Sequence, residues 1–422
     1  MHRSSRSISG IVLIITALAI FGCEKEVQVK PDYNKPLAPG ANALRLLLDL
    51  KDWPNLRDPW KAKDNQLMEA LDRSIGWFNA GSTTQFFPVG AITHLRARTS
   101  VYALRKILEE SASAEAFEKA VQEQFNCYMS VGYDDKGGVL FTGYYTPIFK
   151  GSKTPDATYK YPLYKRPADL VIEPATGKPL GRKVGSSVQP WPSRKEIEDS
   201  SMLKGTEVAY VADKFEAYII HVNGSAKIET PDGQVMYLGY AGKTDRPYKG
   251  IGKAMIEEGK IPAEKLSLKA LKDYFKAHPA DLDKYINANE SYVFFTEYDG
   301  STWPAGSLGV KVSDFRTIAT DKDVFPRGGL VVANTTIPTS DGSKRQFQQF
   351  MLDQDTGGAI RAAGRGDLYM GIGPSAELLA GYQFAEGKLF YFFLKNEKVL
   401  EWNQKMIDDP AIKKPRKTHA AE

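Results

Sequence analysis

Between residues 291 and 394 the chain strings together short apolar runs, at 292–295, 309–312, 317–320, 330–333, 347–352, 367–370 and 389–394, broken by one helical pattern at 375–380. Runs this brief read as strands, and short strands leave edges that a closed barrel or a sandwich removes. The chain's end is therefore expected to be a small barrel. Within it, 351–373 is the richest stretch. Phe350, Met351 and Leu352 approach as a strand that ends in Asp355-Thr356-Gly357-Gly358, where paired glycines permit close backbone approach. Asp367 follows in an alternating run with Leu368, Tyr369 and Met370, and Asp321 stands at the end of Arg316-Thr317-Ile318-Ala319-Thr320. Three acids at strand ends are candidates for acid–base work. The competing reading is ordinary: Asp before Thr-Gly-Gly bonds its own turn, and a strand acid faces solvent.

The periodicity elsewhere changes twice. From 42 to 129 it is helical: Leu67, Leu71, Ile75 and Phe78 line one face, 95–108 forms a second helix, and Phe117, Val121 and Phe125 line a third, with Ser113 as its N-cap. Cys127, beside Phe125 and Tyr128, falls on that helical pattern as a buried small hydrophobe. At 140–147 the period becomes that of a strand. Short strands are expected at 161–164, 218–222, 226–230 and 235–240, the last two joined by a hairpin turn at Pro231-Asp232-Gly233. Helices return at 251–258, after the N-cap Ser267, and at 282–286. The fold class is mainly β with helices (α+β), a barrel interrupted by a second β body, and a groove between two such bodies is where a ligand sits.

Several function classes are disfavoured. The formal charge of +5 in 422 residues is mixed along the chain, which argues against a nucleic-acid partner. The five histidines, His2, His94, His221, His278 and His419, lack zinc-site spacing, so no metal or cofactor is expected. Gly-x-Ser-x-Gly is absent, and Gly239-Tyr240-Ala241-Gly242-Lys243 lacks the Walker spacing. At the N-terminus, Arg3 and Arg6 precede an apolar run at 11–21, short for a bilayer span and suited to a signal peptide. It stops at Ile20-Phe21-Gly22-Cys23, which resembles a bacterial lipobox. Cys23 is then the lipidation site, and Glu24 after it favours the outer membrane. With Cys23 lipidated, Cys127 has no disulfide partner.

The chain resembles the membrane-bound lytic murein transglycosylase A family, whose barrel is called the three-aspartate domain. The resemblance rests on Thr142-Gly143-Tyr144-Tyr145-Thr146-Pro147, Gly239-Tyr240-Ala241-Gly242-Lys243 with Arg246-Pro247-Tyr248, Ser291-Tyr292-Val293-Phe294-Phe295, Ser307-Leu308-Gly309-Val310, Asp355-Thr356-Gly357-Gly358-Ala359-Ile360, and the stretch 365–373. Where the family has Gln and Pro, this chain has Asn223 and Glu290.

That likeness implies a double-psi β-barrel domain interrupted by an inserted, barrel-like β domain. The division becomes a signal peptide (1–22), a lipid-anchored tether (23–40), the barrel with its N-terminal helices (41–150 and 288–400), the insert forming the other groove wall (151–287) and a loose tail (401–422). It implies a peptidoglycan lytic transglycosylase, a murein lyase, facing the periplasm from the outer membrane. Asp367 falls on the catalytic aspartate, with Asp355 and Asp321 as companions. Gly143, Tyr144, Tyr145, Thr146, Asn223, Ser225, Tyr240, Lys243 and Tyr248 are the candidate sugar contacts, core packing and turn chemistry being their alternative. The implied partners are glycan strands, the membrane through its lipid, and a cell-wall synthesis or division complex, with the chain itself monomeric.

A single acid suffices for such chemistry. Ordinary glycosidases need two carboxyl groups. Here the substrate's own C6 hydroxyl attacks C1, and an intramolecular nucleophile reaches effective concentrations of roughly 10⁵ M or more. Two rivals stand beside this reading. Asp355-Thr356-Gly357 matches the aspartic-protease triplet, which in single copy requires a dimer, and a lipoprotein could bind glycan without cutting it.

Overall fold

In the computed structural model, which describes residues 31–174, 177–262, 266 and 268–413, the C-terminal strands do close into a ring. β1 (Val139–Thr146), β2 (Thr317–Ala319), β3 (Leu330–Pro338), β4 (Lys344–Asp355), β5 (Arg365–Ile372) and β6 (Phe384–Leu394) pair in the order β6-β3-β4-β2-β5-β1. β1 then returns to β6, from Phe384↔Thr142 to Gly387↔Val139, which leaves no open edge. The β2–β4 and β5–β1 contacts are parallel and the rest antiparallel. The expected strand at 309–312 is instead a loop, held by a single bridge between Ala305 and Lys311.

The helices lie against this barrel as their periodicity predicts. α1 (Asn65–Phe78) is capped by Asp64, whose side chain accepts from the Leu67 amide, and it buries Leu67, Leu71, Ile75 and Phe78. α2 (His94–Glu110) and α3 (Ala114–Gln124) follow, the latter capped by Ser113. Their apolar faces join Phe141, Val332, Phe350 and Phe392 in one core, each such side chain contributing about 1.5–3 kcal/mol. Two readings fail here. α3 stops at Gln124, and Cys127 lies in a strand, Phe125–Ser130, that pairs with β6. The expected loose tail is ordered at its start: α6 (Asn396–Asp408) buries Val399, Trp402 and Met406, and Trp402 donates its indole N–H to Gln124 Oε1 (2.7 Å).

A second sheet follows β1. Its strands Val293–Tyr298, Val235–Lys243, Ala226–Glu229, Ile148–Ser152, Glu207–Val211 and Tyr161–Tyr164 pair in that order, and a Lys165–Phe295 bridge brings the ends together. It takes strands from both sides of 151–287. The hairpin at Asp232-Gly233 forms as expected. The segment 218–222, expected as a strand, lies in α4 (Lys214–Asn223): Asp213 accepts from the Phe215 and Glu216 amides, and Gly224, at φ 70°, ends the helix. The capping chemistry outweighed the β-branched run. Residues 1–30, with Cys23 and His2, lie outside the described residues, as do Ser267 and residues 414–422 with His419. The tether expected to reach residue 40 ends earlier, because Tyr33 packs on Tyr133 (4.8 Å) and donates to Glu386 Oε1 (2.6 Å).

Candidate active site

Ala319 is the hinge of the arrangement. On one side of β2 it pairs with Asp355 of β4, and on the other with Asp367 of β5. Paired residues of neighbouring strands project from the same face. The two acids therefore share a face with their Cα atoms about 10 Å apart, two strand spacings. One strand further, Asp367 pairs with Thr142 of β1.

The three aspartates differ in setting. Asp367 is half-buried, and its Oδ1 accepts from the Thr142 hydroxyl at 2.8 Å. Burial pushes its carboxyl up to about 6; the Thr142 hydrogen bond and nearby Arg365 pull down, and Asp355 pushes up. Arg365 donates to Thr142 Oγ1 (3.2 Å) and, at the limit of bonding distance, to the Ala359 carbonyl (3.5 Å). Asp355 accepts from the Tyr144 hydroxyl (2.7 Å) and from the Ser307 and Thr356 amides (2.8 Å each). Burial raises its carboxyl, and those donors with Lys322 oppose the rise. Asp321 is 5% exposed and accepts from the Asp323 (3.1 Å) and Ala362 (2.7 Å) amides, with Arg361 at 3.7 Å. Ala362 sits at φ 61°, so Asp321 pins a strained turn on the way to Asp367.

The candidate contacts divide. Tyr144 is half-buried, its ring 5.1 Å from that of Tyr369. Tyr248, Tyr240 and Lys243 come from the second body. Tyr248 lies beside Gly358, where an added Cβ would be 3.7 Å from its ring, and close enough to Asp367 to feel its charge. Tyr240 is exposed, and Lys243 is half-buried, its ammonium disfavoured by burial and by Arg361. The structure turns others inward. Gly143 faces α5 (Pro374–Tyr382), where a Cβ would meet the Ala380 Cα at 2.9 Å. Tyr145 is buried, and Thr146, 1% exposed, bonds the Tyr369 hydroxyl (2.9 Å) and approaches the buried Ser225 (3.5 Å). Asn223 bonds the Ile219 carbonyl of its own helix (2.9 Å). Gly143, Tyr145, Thr146 and Ser225 make packing contacts in this structure. His221 is structural too: buried, it accepts from the Val293 amide through Nδ1 (3.1 Å).

Sequence reasoning assigned no role to Thr142 or Arg365, although each stands two places from a candidate on the same strand face. It also missed Asp353 and Lys322, a buried ion pair joined by Thr320 and by the Tyr391 hydroxyl (2.8 Å to Asp353). Chemically, Asp367 is a group that can hold a proton near neutral pH and release it.

A ring of six strands that admits a second β body between its first and second strands defines a double-psi β-barrel protein with an insert. A family profile described as the MltA specific insert domain matches residues 140–296, and one described as the 3D domain matches 316–393. The membrane-bound lytic murein transglycosylase A of Vibrio cholerae is 32% identical over 270 residues, 63% of this chain and 68% of that protein. Its Escherichia coli K12 counterpart is 29% identical over 61% of this chain and 67% of that one. Among solved structures, a membrane-bound lytic murein transglycosylase from Agrobacterium tumefaciens superposes with TM-score 0.69 at 24% identity, covering 85% of this chain and 99% of that one. E. coli MltA with bound chitohexaose gives 0.63 at 22%, covering 86% and 96%. The chain belongs to the membrane-bound lytic murein transglycosylase A family.

Proposed function

We propose that the chain is a peptidoglycan lytic transglycosylase in which Asp367 is both general acid and general base. Protonated Asp367 gives its proton to the oxygen linking N-acetylmuramic acid to N-acetylglucosamine, and the bond from C1 to that oxygen breaks. The C6 hydroxyl of the same muramic residue attacks C1, and the Asp367 carboxylate takes the hydroxyl proton. The products are a 1,6-anhydromuramic end and a free N-acetylglucosamine end, with the acid restored and no water consumed. The observation that carries this reading is the setting of Asp367, half-buried with a carboxyl raised to about 6 and a side-chain donor to receive the ionised form.

In this reading Asp355 sustains the raised pKa and Asp321 fixes the loop before β5. The barrel and the second body form the two walls of the glycan groove, with Tyr144, Tyr240, Tyr248 and Lys243 toward the sugars. Cys23 carries a lipid that holds the enzyme on the outer membrane, facing the periplasm. Among the described residues no helix is long and apolar enough to cross a membrane, which suits an anchor of that kind. Asp367→Asn keeps the shape and removes the proton relay, and the release of anhydro-muropeptides from sacculi, read by mass spectrometry, is expected to fall roughly 10²–10⁴-fold. Near wild-type release overturns the assignment. Binding of sacculi by the wild-type chain without new ends identifies a glycan-binding lipoprotein, and cleavage of peptides identifies a protease.

A further inference from the structure

The pairing that sets Asp367 beside Thr142 does not stop there. On its other side Thr142 pairs with Phe384, the first residue of β6. Asp367, Thr142 and Phe384 thus form one row across three strands; the 2.8 Å bond from Thr142 to Asp367 shows that those two side chains share a face, and the pairing with Thr142 puts Phe384 on it too. Phe384 is 61% exposed, an unusual state for a large apolar ring in a strand. The ring behind it is Tyr33, which is itself tied down. The Tyr33 ring meets it edge-on at 6.5 Å, Tyr33 packs on Tyr133, and the Tyr33 hydroxyl is tied to Glu386. The Tyr33 carbonyl presses on the chain at Gly364, where a Cβ would come within 2.5 Å of it. The row therefore ends in an aromatic ledge about 10 Å from Asp367, two strand spacings and the span of roughly two pyranose rings. Tyr33 lies outside both matched family segments, so the ledge joins the N-terminal segment to the barrel.

Resting on the reading of Asp367 given above, we propose that Phe384, backed by Tyr33, is a carbohydrate subsite that takes the apolar face of a pyranose about two units from the bond that breaks. An exposed ring backed by a second aromatic suits the C–H face of a sugar, while the Glu386 carboxylate and the Tyr133 hydroxyl beside it suit its hydroxyl and amide groups. The consequence is a preference for longer strands.

The test uses the full chain in detergent with N-acetylglucosamine–N-acetylmuramic acid oligomers of graded length. For Phe384→Ala, the ratio of kcat/KM on long oligomers to that on the shortest cleavable one is expected to fall roughly five- to tenfold, mostly through KM. Phe384→Trp is expected to restore the ratio. An unchanged ratio, or a Trp variant as impaired as Ala, overturns the ledge. Asp367→Asn separates this from the catalytic assignment: its turnover judges the acid, and the length ratio of the Phe384 variants judges the ledge.

Discussion

Removing the Thr142 hydroxyl is expected to move the alkaline limb of the enzyme's pH profile upward. In the structure Thr142 donates to Asp367 at 2.8 Å, a bond that favours the ionised carboxylate. A hydrogen bond to a charged group contributes about 1.5–3 kcal/mol, and water replaces part of it at a half-buried site, which leaves about one pKa step of roughly 1.4 kcal/mol. The sign follows from the proposed role: a cut that begins with Asp367 protonated is expected to slow, in kcat/KM, as pH rises through about 6 in the wild type. Thr142→Val raises the turning point to roughly 7, so that at pH 8 the protonated fraction grows from about 1% to about 10%. A lower plateau from disturbed packing is compatible with this, because the position of the limb is the readout. Asp355→Asn is the control of opposite sign, since the Asp355 charge raises Asp367 and its removal shifts the limb down. The assay is kcat/KM on soluble glycan oligomers from pH 4 to 9, with circular dichroism at each end. A limb that stays fixed in Thr142→Val, or moves down, refutes the assignment of the titrating proton to Asp367.

Three further outcomes are expected. Asp367→Asn should be more stable than wild type at pH 7.5 and no more stable at pH 3.5. The folded carboxyl titrates near 6, above its unfolded value of 3.8, so the native state holds its full stability below about 4 and loses up to about 2–3 kcal/mol as pH rises through 6. Thermal melts at the two pH values check this, and equal shifts at both would refute it. Lys322→Met should cost about 3–5 kcal/mol in urea unfolding, because it leaves the Asp353 carboxylate buried without its cation; a loss under 1 kcal/mol would show that the pair is not needed. Asp321→Ala releases the Ala362 amide and should lower kcat while melting only a few degrees lower; unchanged kcat would show that the turn is set without it.

Much of this architecture was legible in the sequence, and what escaped has physical causes. The amphipathic stripe of α1 and the Asp-Gly hairpin are local signals, and both formed where expected. The segment 218–222 deceived because Tyr, Ile and Val suit strands, while the deciding groups, Asp213 and Gly224, lie outside it. Val399, Trp402 and Met406 carry helical spacing that the charged residues around them obscured. For the acids, Asp355 and Asp367 are close in sequence, but what aligns them is Ala319 from a separate strand. No window of sequence contains that relation, and resemblance to a family had to supply it. Thr142 was passed over for the same reason: its partner Asp367 lies 225 residues away.

That distance has a cost during synthesis. β1 emerges early and must wait through the second body and most of the barrel before β5 and β6 exist to flank it. Contacts this remote in sequence form slowly, and a waiting strand is an adhesive edge. A chain cut short before residue 384 would therefore lack more than its last strand: the ring would stay open along β1, and a nascent fragment would be a substrate for chaperones and proteases rather than a weakened enzyme.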